Sequence, residues 1–127
     1  MKEISELNPH KYMMDGYTYD NIMVLYDCLM ILQSECGMDL KITSGLRSVE
    51  HQNELISQGK SNAPHSKHLT GEAADIYDPD EKLKEWILQN LEKVELIGLW
   101  FEDFSSTKNW VHAQIVAPKS GKRFFIP

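Results

Sequence analysis

No run of apolar residues approaches the roughly 20 that a helix needs to cross a bilayer, which excludes a membrane partner of the spanning kind. The first residues, MKEISELNPHKY, lack the apolar core of a secretory signal. Work outside the cytoplasm would then need delivery by host lysis or by a secretion or injection device, as for a phage or prophage product. Positive charge is also short: 13 Lys and Arg face 19 Asp and Glu, for a net charge of −6. Basic residues gather only at Lys119 with Lys122–Arg123 and around Lys60 and Lys67. Phosphate binding needs denser clusters, so nucleic acid is not the expected partner. Cysteine is limited to Cys28 and Cys36, with no CxxC pair to build a zinc site. On one helix, eight residues separate them by about 12 Å, beyond the about 7 Å a disulfide spans. Both are expected to be reduced, with Cys28 in the core. No repeat, low-complexity tract or linker divides the 127 residues, which fits one domain over 1–127.

What is present reads as a mixed helix and antiparallel-sheet domain, an α+β fold. Ile22, Leu25, Leu29 and Leu32 recur at helical spacing from about Tyr19 to Glu35, and Gly37 is a stop signal. Met23, Val24, Met30 and Ile31 make this helix apolar on most sides, which predicts a central place in the core. Asp39–Thr43 alternates as a short strand, and Ser48 can cap a helix through about Gln58. Residues 59–67 read as a loop and Glu72–Tyr77 as a strand. Asp78-Pro79-Asp80-Glu81 has the form of a capping box opening a helix whose stripe is Leu83, Ile87, Leu91 and Val94. Strands are predicted over Glu95–Glu102 and Trp110–Val116, with an edge strand near Arg123–Ile126.

Catalytic zinc takes three protein ligands and leaves one position open. His68, Asp75 and His112 are candidates, and strand alternation strengthens them. Successive side chains point to opposite faces. With Val111, Ala113 and Ile115 on the apolar face, His112 falls on the other face with Trp110 and Gln114. Ala74 and Ile76 put Asp75 there too, and Ile97, Leu99 and Phe101 leave Gly98, Trp100 and Glu102 opposite the core. If these strands share one sheet, Asp75, His112 and Glu102 project from the same side.

The segment Ser66-Lys67-His68-Leu69-Thr70-Gly71-Glu72-Ala73-Ala74-Asp75-Ile76 resembles the metal motif of the M15 peptidases, the D-Ala-D-Ala carboxypeptidase and phage endolysin family. Trp110-Val111-His112 resembles its second block, and Ser44-Gly45-Leu46-Arg47-Ser48 its upstream Ser-Gly-x-Arg-Ser signal. The three blocks occur in the family's order. The resemblance implies a hedgehog/DD-peptidase-like fold, Zn2+ as cofactor, His68, Asp75 and His112 as its ligands, and Arg47 as a substrate or transition-state contact. A planar guanidinium can grip a carboxylate or a developing oxyanion; the plainer role is an ordinary loop-stabilising arginine. Gly71 would permit a tight turn between two ligands. Ser66 could orient a ligand or serve the substrate side, or simply make the turn.

Two positions depart from the family pattern. Many members carry Glu or Asp three residues before the last His, where this chain has Asn109, and several carry Asp where it has Gln114. Asn109 cannot act as the general base. Glu102 is the expected substitute, because it should face His112 across the hairpin, with Asp103 taking over if a bulge shifts the register. His10 and His51 are expected to be solvent-facing or cap-type residues, and His65, which the motif passes over, is not an expected ligand. The activity implied is zinc-dependent cleavage of peptidoglycan stem peptides by a monomer, as a carboxypeptidase or an endopeptidase. A binding module that kept the fold and lost catalysis is the alternative.

Overall fold

Asp15 starts the first long element: its carboxylate accepts the Thr18 amide at 2.8 Å, and helix α1 (Gly16–Cys36) runs to Gly37, where φ is 69°. A Cβ-free residue suits that left-handed turn. The structure, a computed structural model, describes residues 1–61, 63 and 65–127. Helix α2 (Val49–Ser57) is capped by Ser48, whose hydroxyl accepts the His51 amide. Helices α3 (Lys82–Gln89) and α4 (Leu91–Ile97) follow the second strand. The strands are β1 (Ile42–Ser44), β2 (Ala73–Tyr77), β3 (Trp100–Glu102), β4 (Trp110–Gln114) and β5 (Phe124–Phe125). Short 3-10 turns lie at Ile4–Leu7 and Lys67–Thr70.

The α+β class is as expected, with one sheet in the order β1-β2-β4-β3-β5. Four strands pair antiparallel, but β5 runs parallel to β3. The connection after β4 carries the chain back across the sheet edge, so its return on the far side of β3 reproduces that strand's direction. The core lies between α1 and one face of the sheet. Ile22, Leu25, Leu29 and Leu32 meet Ala74, Ile76, Phe101, Val111 and Ala113 in one apolar cluster.

Several local expectations are corrected. Helix α1 buries one stripe only, and Met23, Val24 and Ile31 are exposed. Its apolar outer side is therefore not core. The segment after Asp78 forms no capping box. Asp78 does cap, accepting the Leu83 and Lys84 amides at 3.0 and 3.1 Å, but the helix begins only at Lys82, with Glu81 at φ 61°. Glu81 turns its carboxylate to Lys84 Nζ instead, 2.6 Å away. One continuous helix was expected through Val94; it is broken at Asn90, whose φ of −133° is not helical. Glu95–Ile97 is helix, not strand, and Gly98 at φ 93° ends it. Both cysteines lie on α1 and are free, with Cys28 packed against the core.

Candidate metal centre

The Lys67–Thr70 turn presents His68. Ser66 fixes its start, with the hydroxyl accepting the His68 backbone amide at 3.2 Å. Gly71 closes it at φ 74°, and a Cβ there would stand 2.7 Å from Ile22 Cγ1 and 3.0 Å from the Thr18 carbonyl. Only glycine fits both the conformation and the space. Asp75 and His112 are Cα partners across β2 and β4, so both side chains leave the same face of the sheet, side by side. Asp75 Oδ1 lies 3.2 Å from His68 Nε2 and 3.1 Å from His112 Nδ1. The three candidates therefore converge, with donor atoms within 4.8 Å of one another.

Outer partners decide which nitrogen each histidine offers. His68 Nδ1 is 2.9 Å from the Gly45 carbonyl, so that nitrogen carries the proton and Nε2 keeps a lone pair. His112 Nε2 is 2.9 Å from Gln114 Oε1. The Gln114 amide is itself oriented, because its Nε2 donates to the Val116 carbonyl at 2.7 Å. Oε1 must then accept from His112, leaving Nδ1 for the site. Two nitrogen lone pairs and one carboxylate oxygen thus face a common point. Acceptors crowded like this repel unless a cation or proton lies among them. Around a tetrahedral zinc with bonds of about 2.0–2.1 Å, ligand atoms stand about 3.3 Å apart, close to the separations here. The residues fit a zinc ion.

Charge at the trio follows the same logic. Burial alone would raise the Asp75 carboxyl, but once protons take the cation's place on the imidazoles, the His68 charge and the hydrogen bonds from His112 and His68 outweigh it, holding the group well below the usual carboxylate range. Burial pushes His68 down, more than Asp75 can offset. Burial also works against the charged form of His112, but its hydrogen bond to Asp75 reverses the outcome and raises it.

Arg47 lies closer to the ligands than its expected role requires. Its Nη2 donates to Asp75 Oδ2 at 3.1 Å, Nε to Ser44 Oγ at 3.0 Å and Nη1 to Gln52 Oε1 at 3.1 Å. The guanidinium occupies one Asp75 oxygen and turns the other toward the histidines. Gln52 is buried and donates in turn to Ser61 Oγ and the Ala63 carbonyl, at 2.9 and 2.8 Å.

Glu102 occupies the face predicted for it. The β3–β4 pairs Trp100↔Gln114 and Phe101↔Ala113 put Trp100 on the face of Gln114, and alternation along β3 returns Glu102 to that face. Glu102 is half-buried, and that burial raises its carboxyl above the ordinary value. Asp103 carries no such placement. Its carboxylate is exposed and accepts the Ser105 amide at 2.9 Å. Asn109 has φ 69°, a left-handed conformation asparagine tolerates better than most residues, and its carbonyl accepts the Asp78 amide. Asn109 is thus a turn residue, and its amide side chain supplies no base. Phe125 stands edge-on to the His112 ring, with centroids 6.0 Å apart. His10, His51 and His65 are exposed.

Sequence reasoning did not find the outer partners Gly45, Gln52 and Phe125. Alternation had placed Gln114 on the correct face, which was the available signal for its contact with His112. A backbone carbonyl such as that of Gly45 leaves no trace in composition or periodicity.

A sheet face that gathers two imidazoles and a carboxylate within reach of one point, backed by a helical core layer, defines a small α+β domain whose donor trio could hold a single metal ion. The particular family follows from comparison with known proteins. The chain belongs to the Peptidase M15 family, whose model matches residues 5–114. That span contains Arg47, the whole donor trio and Glu102. The crystal structure of Serratia marcescens L-Ala D-Glu endopeptidase ChiX has a similar fold, with a TM-score of 0.59 and 19% sequence identity. The match covers 91% of this chain and 99% of that one. No curated protein matches the sequence.

Proposed function

We propose that this member of a peptidase family is a zinc-dependent endopeptidase of peptidoglycan stem peptides. The single observation that carries the reading is the convergence of His68 Nε2, Asp75 Oδ1 and His112 Nδ1, each oriented by an outer partner. When bound, zinc supplies a Lewis acid that polarises a carbonyl and lowers the pKa of a water toward about 7.

The protein's own groups do the rest. Glu102 accepts a proton from the attacking water and returns it to the leaving nitrogen; its half-buried position favours the protonated form this exchange requires. Arg47 holds Asp75 in place through Oδ2. A carboxypeptidase needs a cation for the substrate's terminal carboxylate, and Arg47 was the residue suited to it. Its bonds to Asp75, Ser44 and Gln52 weaken that case and favour cleavage within a chain. The L-Ala D-Glu endopeptidase with a similar fold agrees with this choice.

The test is digestion of purified peptidoglycan by the zinc-loaded protein, with new peptide ends identified by mass spectrometry. New amino termini that vanish with a chelator and return with zinc are expected. Zinc bound at one equivalent with no new ends would instead support the second reading, a binding module, which the acid-to-Asn109 departure favours.

A further inference from the structure

The chain contains two arginines. One, Arg47, is held against Asp75. The other, Arg123, belongs to the small basic group near the C-terminus that the metal centre leaves unexplained. Its guanidinium carbon lies 3.7 Å from the centroid of the Trp100 ring, and Nη1 donates to the Leu99 carbonyl at 2.8 Å. No carboxylate pairs with Arg123 among the described residues, although the protein has 19 Asp and Glu. Stacking on an indole fixes the plane of the guanidinium and leaves its outer edge able to donate.

The place of this pair in the sheet gives it meaning. Trp100 is the Cα partner of Gln114, so its side chain leaves the sheet on the face that carries the metal centre. Gln114 is in turn bonded to His112. One strand across and two residues along correspond to about 8 Å between the Cα atoms of Trp100 and His112. An extended peptide covers that distance in about two residues.

We infer that Trp100 and Arg123 form a substrate subsite that receives a carboxylate carried one or two residues from the bond being cut. The inference rests on the peptidase reading for its substrate class, and its test separates the two. Stem peptides supply suitable probes, because the α-carboxylate of their D-glutamate can be free or amidated. L-Ala-γ-D-Glu-L-Lys and the same peptide with that carboxyl as an amide differ only there.

Both peptides would be titrated into the zinc-loaded protein, following the Trp100 indole N–H by NMR, assigned with Trp100→Phe, and following cleavage in the same samples. The acid form should bind about tenfold more tightly than the amide, the scale of one charge-assisted contact at a partly exposed site. That ratio should fall to near one in Arg123→Gln and to an intermediate value in Arg123→Lys, which keeps the charge but loses the planar fork. Equal affinity of the wild-type protein for the two peptides, or no binding of either, overturns the subsite, as does a ratio unchanged by Arg123→Gln. If an Arg123 variant does not fold, the wild-type ratio and the Trp100 signal still decide. Preferential binding of the acid form without cleavage would sink the peptidase reading and leave the subsite standing.

Discussion

The two sides of the metal centre are built differently. On the β1–β2 side, His68, Asp75 and Arg47 are enclosed, with side-chain exposures of 3%, 10% and 15%. Each has a fixed partner: a main-chain carbonyl for His68, a guanidinium for Asp75, and Ser44 and Gln52 for Arg47. On the β3–β5 side, Glu102 is half-buried and Arg123 has no carboxylate partner among the described residues. Rigid partners suit a cation whose ligands must hold to a few tenths of an ångström. Groups that gain and lose a proton, or meet a substrate, need freedom that a closed network would remove. Substitutions on the first side should therefore change metal affinity, and those on the second should change turnover.

The sharpest contrast sets Asp75→Ala against Glu102→Gln. Asp75→Ala removes the oxygen both histidines face and leaves the enclosed Arg47 guanidinium without its anion. Zinc affinity should fall on the order of a thousandfold or more, measured by competition with a chromogenic chelator. Activity on peptidoglycan should vanish with it. Glu102→Gln keeps shape and removes basicity, so turnover should fall by about 10² to 10⁴ while zinc stays at one equivalent. Zinc loss in Glu102→Gln, or undiminished turnover, would break the division between the two sides. Asp103→Asn is the control, expected to leave turnover within about threefold because its carboxylate serves the Ser105 turn.

How far the sequence could be read follows from which interactions are local. Alternation in β2 and β4 put Asp75 and His112 on one face before any pairing was known, because burial of Ala74, Ile76, Val111 and Ala113 fixes the phase of each strand. Periodicity likewise located α1. The exposed side of α1, the break at Asn90 and the parallel β5 depend on what packs against what, and no local pattern encodes that. Arg47 shows the same limit within the site. Its place after β1 was legible, but its grip on Asp75 arises only because β1 pairs with β2 in a register that sets Ser44 opposite Asp75.

Arg47 also tests how deep the rigid side extends. Arg47→Met keeps bulk and removes all three donor bonds, so Asp75 can rotate and offer either oxygen. A loss of about 10- to 100-fold in zinc affinity is expected, the range for removing a partner that orients a ligand. Gln52→Leu should give a smaller loss of the same kind, since it frees one guanidinium nitrogen and breaks the tie to Ser61 and Ala63. Were Arg47 mainly a substrate contact, Arg47→Met would raise KM or lower kcat with zinc affinity intact.

The smallest effect should come at Gln114, where the two sides meet. Its carbonyl oxygen holds His112 in the tautomer that offers Nδ1, but the neighbouring Phe125 ring and the strand itself also restrain the imidazole. Gln114→Leu removes both the acceptor for His112 and the donor to the Val116 carbonyl, and zinc affinity should drop about tenfold. Gln114→Glu restores an acceptor of stronger basicity but not the donor to the Val116 carbonyl, and should recover only part of the loss. The cobalt-substituted protein provides a second readout, because a tilted imidazole alters the ligand-field spectrum even when metal remains bound. An unchanged spectrum and affinity in Gln114→Leu would mean that packing, and not this hydrogen bond, sets the ring. His112 would then be held by packing as firmly as His68 is by the Gly45 carbonyl.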